Sequence, residues 1–104
     1  MARAPVRFHP AAAEEAEAAS RWYAERSSAA GRGFLEELRH AVEAVAEAPE
    51  RWPRYGVRAR RYIFPRFPFS LVYRLRRAGD VEIIAVAHGK RRPGYWQQRL
   101  GRVP

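Results

Sequence analysis

The chain contains no cysteine, which excludes disulfides and thiolate-ligated metal sites. It has one lysine, Lys90, and one aspartate, Asp80. No apolar run approaches the roughly 18 residues that a membrane-spanning helix requires. The first ten residues, MARAPVRFHP, lack the hydrophobic stretch of a secretory signal. From these absences we expect a cytoplasmic location, no cofactor, no metal and no membrane partner.

Acidic residues are scarce in one half only. Residues 1–50 carry 6 basic and 9 acidic side chains, whereas residues 51–104 carry 14 basic and 2 acidic. Arginine abundance can follow base composition, but that does not explain the segregation. A strongly basic half implies an anionic partner, either nucleic acid or an acidic protein segment. With 47% hydrophobic and 12% aromatic residues the chain is not disordered, and its length fits a single domain over residues 1–104.

The hydrophobic pattern predicts the order β-α-α-β-β-β. Val6-Arg7-Phe8 reads as a short strand. Pro10 at a first helical position, with Glu14 and Glu15 near the positive end of the dipole, opens a helix. Ala12, Ala16, Ala19 and Tyr23 form its narrow apolar face, and Gly31 and Gly33 interrupt the pattern. A second helix is expected from Phe34 to Ala48, joined to the first by about four residues as an antiparallel hairpin. After Pro53 the period becomes two. Strands are expected at Tyr62–Phe64, Phe69–Arg76 and Val81–His88, and a tight Ala78-Gly79-Asp80 turn would set Arg76 opposite Glu82. In that register Phe69, Leu71, Tyr73, Leu75, Val81, Ile83, Ala85 and Ala87 face the helices. Ser70, Val72, Arg74, Arg76, Glu82, Ile84, Val86 and His88 then share the other face. Residues 95–99 form a short last helix or a tail.

The stretches VRFHPAAAEEAEAASRWY, FLEELRHAVEAVAEAPERWP, FPFSLVYRL and IIAVAHGKRRPGYW together resemble the RelE/ParE superfamily, the toxins of type II toxin–antitoxin modules, often labelled plasmid-stabilisation proteins. The resemblance covers residues 6–100; PFSLVYRL followed about ten residues later by VAHGKR is its specific part. It implies an α+β fold in which a helical hairpin packs on one face of a mainly antiparallel four-stranded sheet. It also implies a cognate antitoxin that wraps the toxin, and leaves open a homodimer or a toxin–antitoxin hetero-oligomer. RelE-like members cut messenger RNA on the ribosome without metal, and ParE-like members inhibit DNA gyrase.

Cleavage of RNA needs a group to take the 2′-hydroxyl proton, cations on the phosphate and a group to protonate the leaving oxygen. Histidine or tyrosine suits the proton transfers, and arginine matches phosphate oxygens. His88, at a strand end and followed by Gly89, is the candidate proton-transfer residue, and the resemblance places Arg61, Arg91 and Tyr95 at matching nuclease positions. It also reveals departures: Ser70 and Ile63 stand where nucleases carry cations, and a serine cannot supply a full charge. The departures favour the ParE-like inhibitor; the ribosome-dependent endoribonuclease is the alternative, and a non-toxic basic nucleic-acid-binding domain is a third reading.

Without nuclease activity, Arg60, Arg61, Arg74, Lys90, Arg91, Arg92, Tyr95 and Trp96 would bind the target or the antitoxin, the aromatics supplying flat contact area. Each aromatic has a structural reading too. Tyr95 and Trp96 can cap the core by packing back onto the sheet, Trp52 can fill the hairpin end, and Trp22 can be structural or line an antitoxin groove. His9 reads as a helix-start residue and His40 as a solvated one. The central expectation is that Arg61, Arg74, His88 and Arg91 gather on the sheet face that the helices leave uncovered.

Overall fold

The computed structural model describes residues 3–101. Strand β1 (Val6–Phe8) leads into helix α1 (Pro10–Arg26), which is followed by helix α2 (Ser28–Glu47) and strands β2 (Arg60–Ile63), β3 (Phe69–Leu75) and β4 (Val81–His88). A 3-10 turn, Gln97–Leu100, closes the described chain. The sheet order is β1-β4-β3-β2, with β1 parallel to β4 and the other pairs antiparallel. No helix among the described residues is long and apolar enough to cross a membrane.

The expected element order holds, and the hairpin connection is shorter than expected. A single residue, Ser27, joins α1 to α2; its hydroxyl accepts from Ala30 N at 3.2 Å, capping α2. Helix α2 therefore begins at Ser28, not Phe34, and both glycines lie inside it. Gly31 marks the closest approach of the helices: a Cβ there would lie 2.8 Å from Ala24 Cβ. The glycine there permits backbone proximity and does not break the helix.

The helix-side core centres on Phe34, fully buried, with Tyr23, Phe67 and Phe69 at ring-centroid distances of 5.5, 5.6 and 5.2 Å. Leu71, Tyr73, Val81 and Ile83 complete it from the sheet. Two buried polar anchors orient the segments around this core. The Glu37 carboxylate accepts from the backbone N–H groups of Arg66 and Phe67, at 3.1 and 2.9 Å, fixing the β2–β3 connection. The Tyr73 hydroxyl donates to Pro49 O at 2.6 Å, fixing the end of the hairpin.

The β3–β4 register differs from expectation in two ways. First, Arg74 pairs with Glu82, not Arg76, because the turn is longer: Leu75 opposes Val81 and strand β3 ends there. Second, an irregularity at Val72/Tyr73 lets β4 advance by one residue, Val72 opposing Ala85 while Tyr73 opposes Ile83. A bulge reverses the facing of everything beyond it. Val86 and His88 consequently turn toward the helices, and Ala85 and Ala87 turn away. Strand β2 also begins two residues earlier than expected, and Phe64 lies beyond its end, buried.

The face remote from the helices is not open. Val72, Ile84 and Ala85 are buried there beneath Ala59, Trp96 and Leu100, with Tyr55 and Tyr95 alongside. Trp96 is only 2% exposed, so it is a core residue and not part of the surface expected for it; its ring lies 5.7 Å from that of Tyr55.

Candidate functional site

The short β1 strand creates the local problem around which the site is built. Strand β1 pairs with Val81–Ile83, leaving the outer edge of β4 without a strand partner among the described residues from Ile84 onward. An unpaired backbone edge in the interior is costly. Glu15, on the first turns of α1, meets it: its Oε1 accepts from Val86 N at 3.0 Å. Arg99 donates to Ile84 O at 3.0 Å and to both Glu15 oxygens, at 3.0 and 2.9 Å. Tyr95 donates its hydroxyl to Glu15 Oε2 at 2.8 Å. One carboxylate thus ties α1, the β4 edge and the C-terminal segment together. The sequence reading assigned Glu15 only to the helix dipole and did not single out Arg99; their 84-residue separation gives no local signal.

Two recesses flank this junction. The larger, about 560 Å³, lies between α1 and the end of β4, with Ala18, Ala19, Trp22 and Tyr23 on one wall and Phe69, Val86 and His88 on the other. Lys90 and Arg91 stand on its rim. The groove exists because the bulge aims Val86 and His88 at α1. Trp22 remains 50% exposed, with the Arg26 guanidinium 3.5 Å above its ring. Groove wall residues Ala18, Phe69 and Val86 were missed from the sequence, where Phe69 read as core, Val86 as part of the face away from the helices, and Ala18 was not singled out.

The smaller recess, about 190 Å³, lies behind the 88–95 loop, lined by Arg61, Ser70, His88, Arg91, Arg92 and Tyr95 among others. The nuclease-like positions Arg61, His88, Arg91 and Tyr95 therefore do meet. His88 contributes to both recesses, with its Nδ1 accepting from Lys90 N at 3.0 Å and its ring edge-on to Phe69 at 5.0 Å. In a neutral ring this leaves the proton on Nε2. Arg61 lies 4.0 Å over the Tyr55 ring, and Arg91 3.8 Å over the Tyr95 ring. The Tyr95 hydroxyl is pushed well above the usual tyrosine range by burial, and further by the hydrogen bond and charge of Glu15, against the opposing pull of Arg99 and Arg91. No group of three or more potential metal ligands occurs among the described residues.

Two expected members lie elsewhere. Arg74 donates to Glu82 at 2.9 Å and to Leu100 O at 2.9 Å, at the far end of the sheet. Arg60 faces the helix side, where it donates to Trp52 O at 2.7 Å and to Glu50 O at 3.2 Å. The expected single cationic face is thus corrected to separate clusters, because β3 carries Arg74 away from Ser70 and β2 turns Arg60 toward the helix side.

Comparison with known proteins agrees with this architecture. The family described as "ParE toxin of type II toxin-antitoxin system, parDE" matches residues 6–93. No curated protein matches the sequence. A solved structure titled "Chromosomal ParDE TA system from P. aeruginosa" superposes with a TM-score of 0.68 at 14% identity, over 83% of this chain and 96% of that chain. At that identity the likeness is one of fold.

Proposed function

Because the chain belongs to the family of ParE toxins of type II toxin–antitoxin systems, we propose that it acts by binding and inhibiting DNA gyrase and is held inactive by a cognate antitoxin seated in the α1–β4 groove. The groove supports the second part. Its walls are small and aromatic apolar residues, and its rim carries Lys90 and Arg91. Such a surface fits an apolar segment with acidic flanks.

The observation that carries inhibition over RNA cleavage is the Tyr95–Glu15 hydrogen bond. A phenol that already donates to a half-buried carboxylate, and whose ionisation is suppressed, is badly placed to exchange protons with a substrate. Ser70 in the same recess adds no charge for a phosphorane-like transition state. The nuclease reading retains one favourable feature, the convergence of Arg61, His88 and Arg91.

The test pairs two assays. Purified toxin added to gyrase should block supercoiling or trap cleaved DNA, while messages in a purified translation system stay intact. Message cuts that disappear with His88→Ala and Arg91→Ala would establish the nuclease instead, and the absence of growth arrest on induction would leave the non-toxic binding domain. For the groove, Trp22→Ala combined with Arg91→Glu should weaken capture of the antitoxin, sought as the small acidic protein of the adjacent reading frame, by about 100-fold, the scale of a disrupted hot spot.

A further inference from the structure

We propose that a second cationic basin, at the end of the sheet opposite His88, binds the phosphodiester backbone of a nucleic acid. The basin, about 610 Å³, is lined by six arginines, Arg54, Arg58, Arg60, Arg74, Arg76 and Arg77, with Glu50 as its one acidic wall residue. It lies at the opposite end of β3 from the 88–95 loop, since Phe69 pairs with His88 and Leu75 with Val81.

The local charge balance is uneven. Arg74 and Arg76 are engaged by Glu82 and Asp80, at 2.8 and 3.4 Å. Counting those two carboxylates and Glu50 against six guanidinium groups leaves three positive charges uncompensated. Arg54 and Arg77 are exposed and have no ion pair among the described residues. Burial and pairing therefore explain Arg74, Arg76 and Arg60, but not Arg54 and Arg77.

Arg58 also stands at the basin wall. Its backbone lies at φ 67°, a left-handed conformation that side-chain-bearing residues rarely adopt. Its NH2 donates to Gly101 O at 3.1 Å, yet its Nε is buried with no hydrogen-bond partner among the described residues. Arg58 is thus held at the wall of the positive basin in a rarely adopted backbone conformation, its guanidinium tied to Gly101 O.

The chemistry favours phosphate diester over an acidic protein. Planar guanidinium forks match phosphate oxygens in pairs. A protein interface is organised around an apolar centre, and among the described residues the apolar wall residues here are only Ala59 and Leu75. Interfaces with nucleic acid are polar and strongly positive. The inference does not depend on whether gyrase is the toxin's target.

The experiment measures binding of a fluorescent 20-base-pair duplex to the full chain by anisotropy, across a salt series. Arg54→Ala/Arg77→Ala changes two exposed side chains and spares the fold. It should lower the slope of log K against log salt by about 2 and the affinity at 0.1 M salt by at least about tenfold, roughly one slope unit per lost phosphate contact. Arg21→Ala/Arg32→Ala, which removes the same charge from exposed helical positions, should change affinity less than about twofold. Equal losses in both variants would reduce the effect to net charge and overturn the site. Loss confined to Lys90→Ala/Arg92→Ala would move the contact to the other cluster and overturn it as well. So would a polyglutamate peptide that competes as well as unlabelled duplex of equal charge.

Discussion

On the helix-facing side of the sheet, Leu71, Tyr73 and Ile83 are fully buried beneath two long helices, whereas on the other side Val72 and Ile84 are equally buried beneath Trp96, Leu100 and the Tyr55–Ala59 segment, which lie outside any α-helix or strand. The helical cover satisfies its own backbone and spreads its contacts over a long stripe. The irregular cover is held by one large ring and by side-chain hydrogen bonds such as those of Glu15 and Arg99. The first cover is inseparable from folding, and the second is a candidate for local opening. The 88–95 loop runs between them, so the groove facing α1 and the recess behind the loop inherit one rigid wall and one detachable wall.

The contrast is sharpest for large-to-small substitutions. Phe34→Ala should cost about 4 kcal/mol and lower urea resistance of the whole domain in one transition. That is a large part of the 5–15 kcal/mol typical of a domain, and roughly half of what many retain. Glu15→Ala comes next, at about 3 kcal/mol. It strands a mostly buried Arg99 guanidinium and the Val86 N–H, and it unfastens both covers at their seam. Thermal denaturation of Glu15→Ala beside Glu15→Gln separates the lost charge from the lost packing, with the glutamine variant retaining part of the stability. Trp96→Ala should cost only about 2 kcal/mol, less than the usual 3–5 for such a change, because the segment detaches instead of leaving a cavity. Hydrogen exchange should then show protection lost around residues 95–100 and retained in α1 and α2. If Trp96→Ala strips protection from the helices as thoroughly as Phe34→Ala, the two covers form one cooperative unit and the distinction fails.

The same contrast explains what was legible in the sequence. The element order and the helix-side core followed from period and length: the Phe34-to-Val45 stripe and the alternation through Phe69–Leu75 each have one structural solution. The α1–α2 joint was misread because a glycine at a helix crossing and a glycine at a break look alike until the neighbour, Ala24, is known. The facing of Val86 and His88 was misread because a bulge has no signature in an alternating apolar run such as VEIIAVAH, where either facing is hydrophobic. The far-side cover was legible only as one of two readings for Trp96. Glu15 and Arg99 meet through tertiary contact alone, so nothing near either residue announces the pair. The family match itself ends at residue 93, short of Tyr95, Trp96 and Arg99.

The smallest expected effect separates the two faces by pH. Tyr73 is buried on the helix side, and its hydroxyl is pushed from the ordinary 10 up to about 12, chiefly by burial and partly offset by the Arg60 guanidinium. Its folded-state value lies above the unfolded one, so its contribution is whole below pH 10 and is lost as the pH rises toward 12. Tyr95, on the far side, is raised as well and contributes with the same sign. Urea midpoints should therefore be flat from pH 7 to 9 and fall beyond about 10. Tyr73→Phe removes the bond to Pro49 O and should cost about 1 kcal/mol at neutral pH while making the alkaline fall shallower. Tyr95→Phe should also flatten the fall, but with exchange at residues 95–100 changing first. A Tyr73→Phe profile that keeps the full wild-type slope would assign the alkaline loss to the irregular cover alone, reversing the order of dependence argued for the two faces.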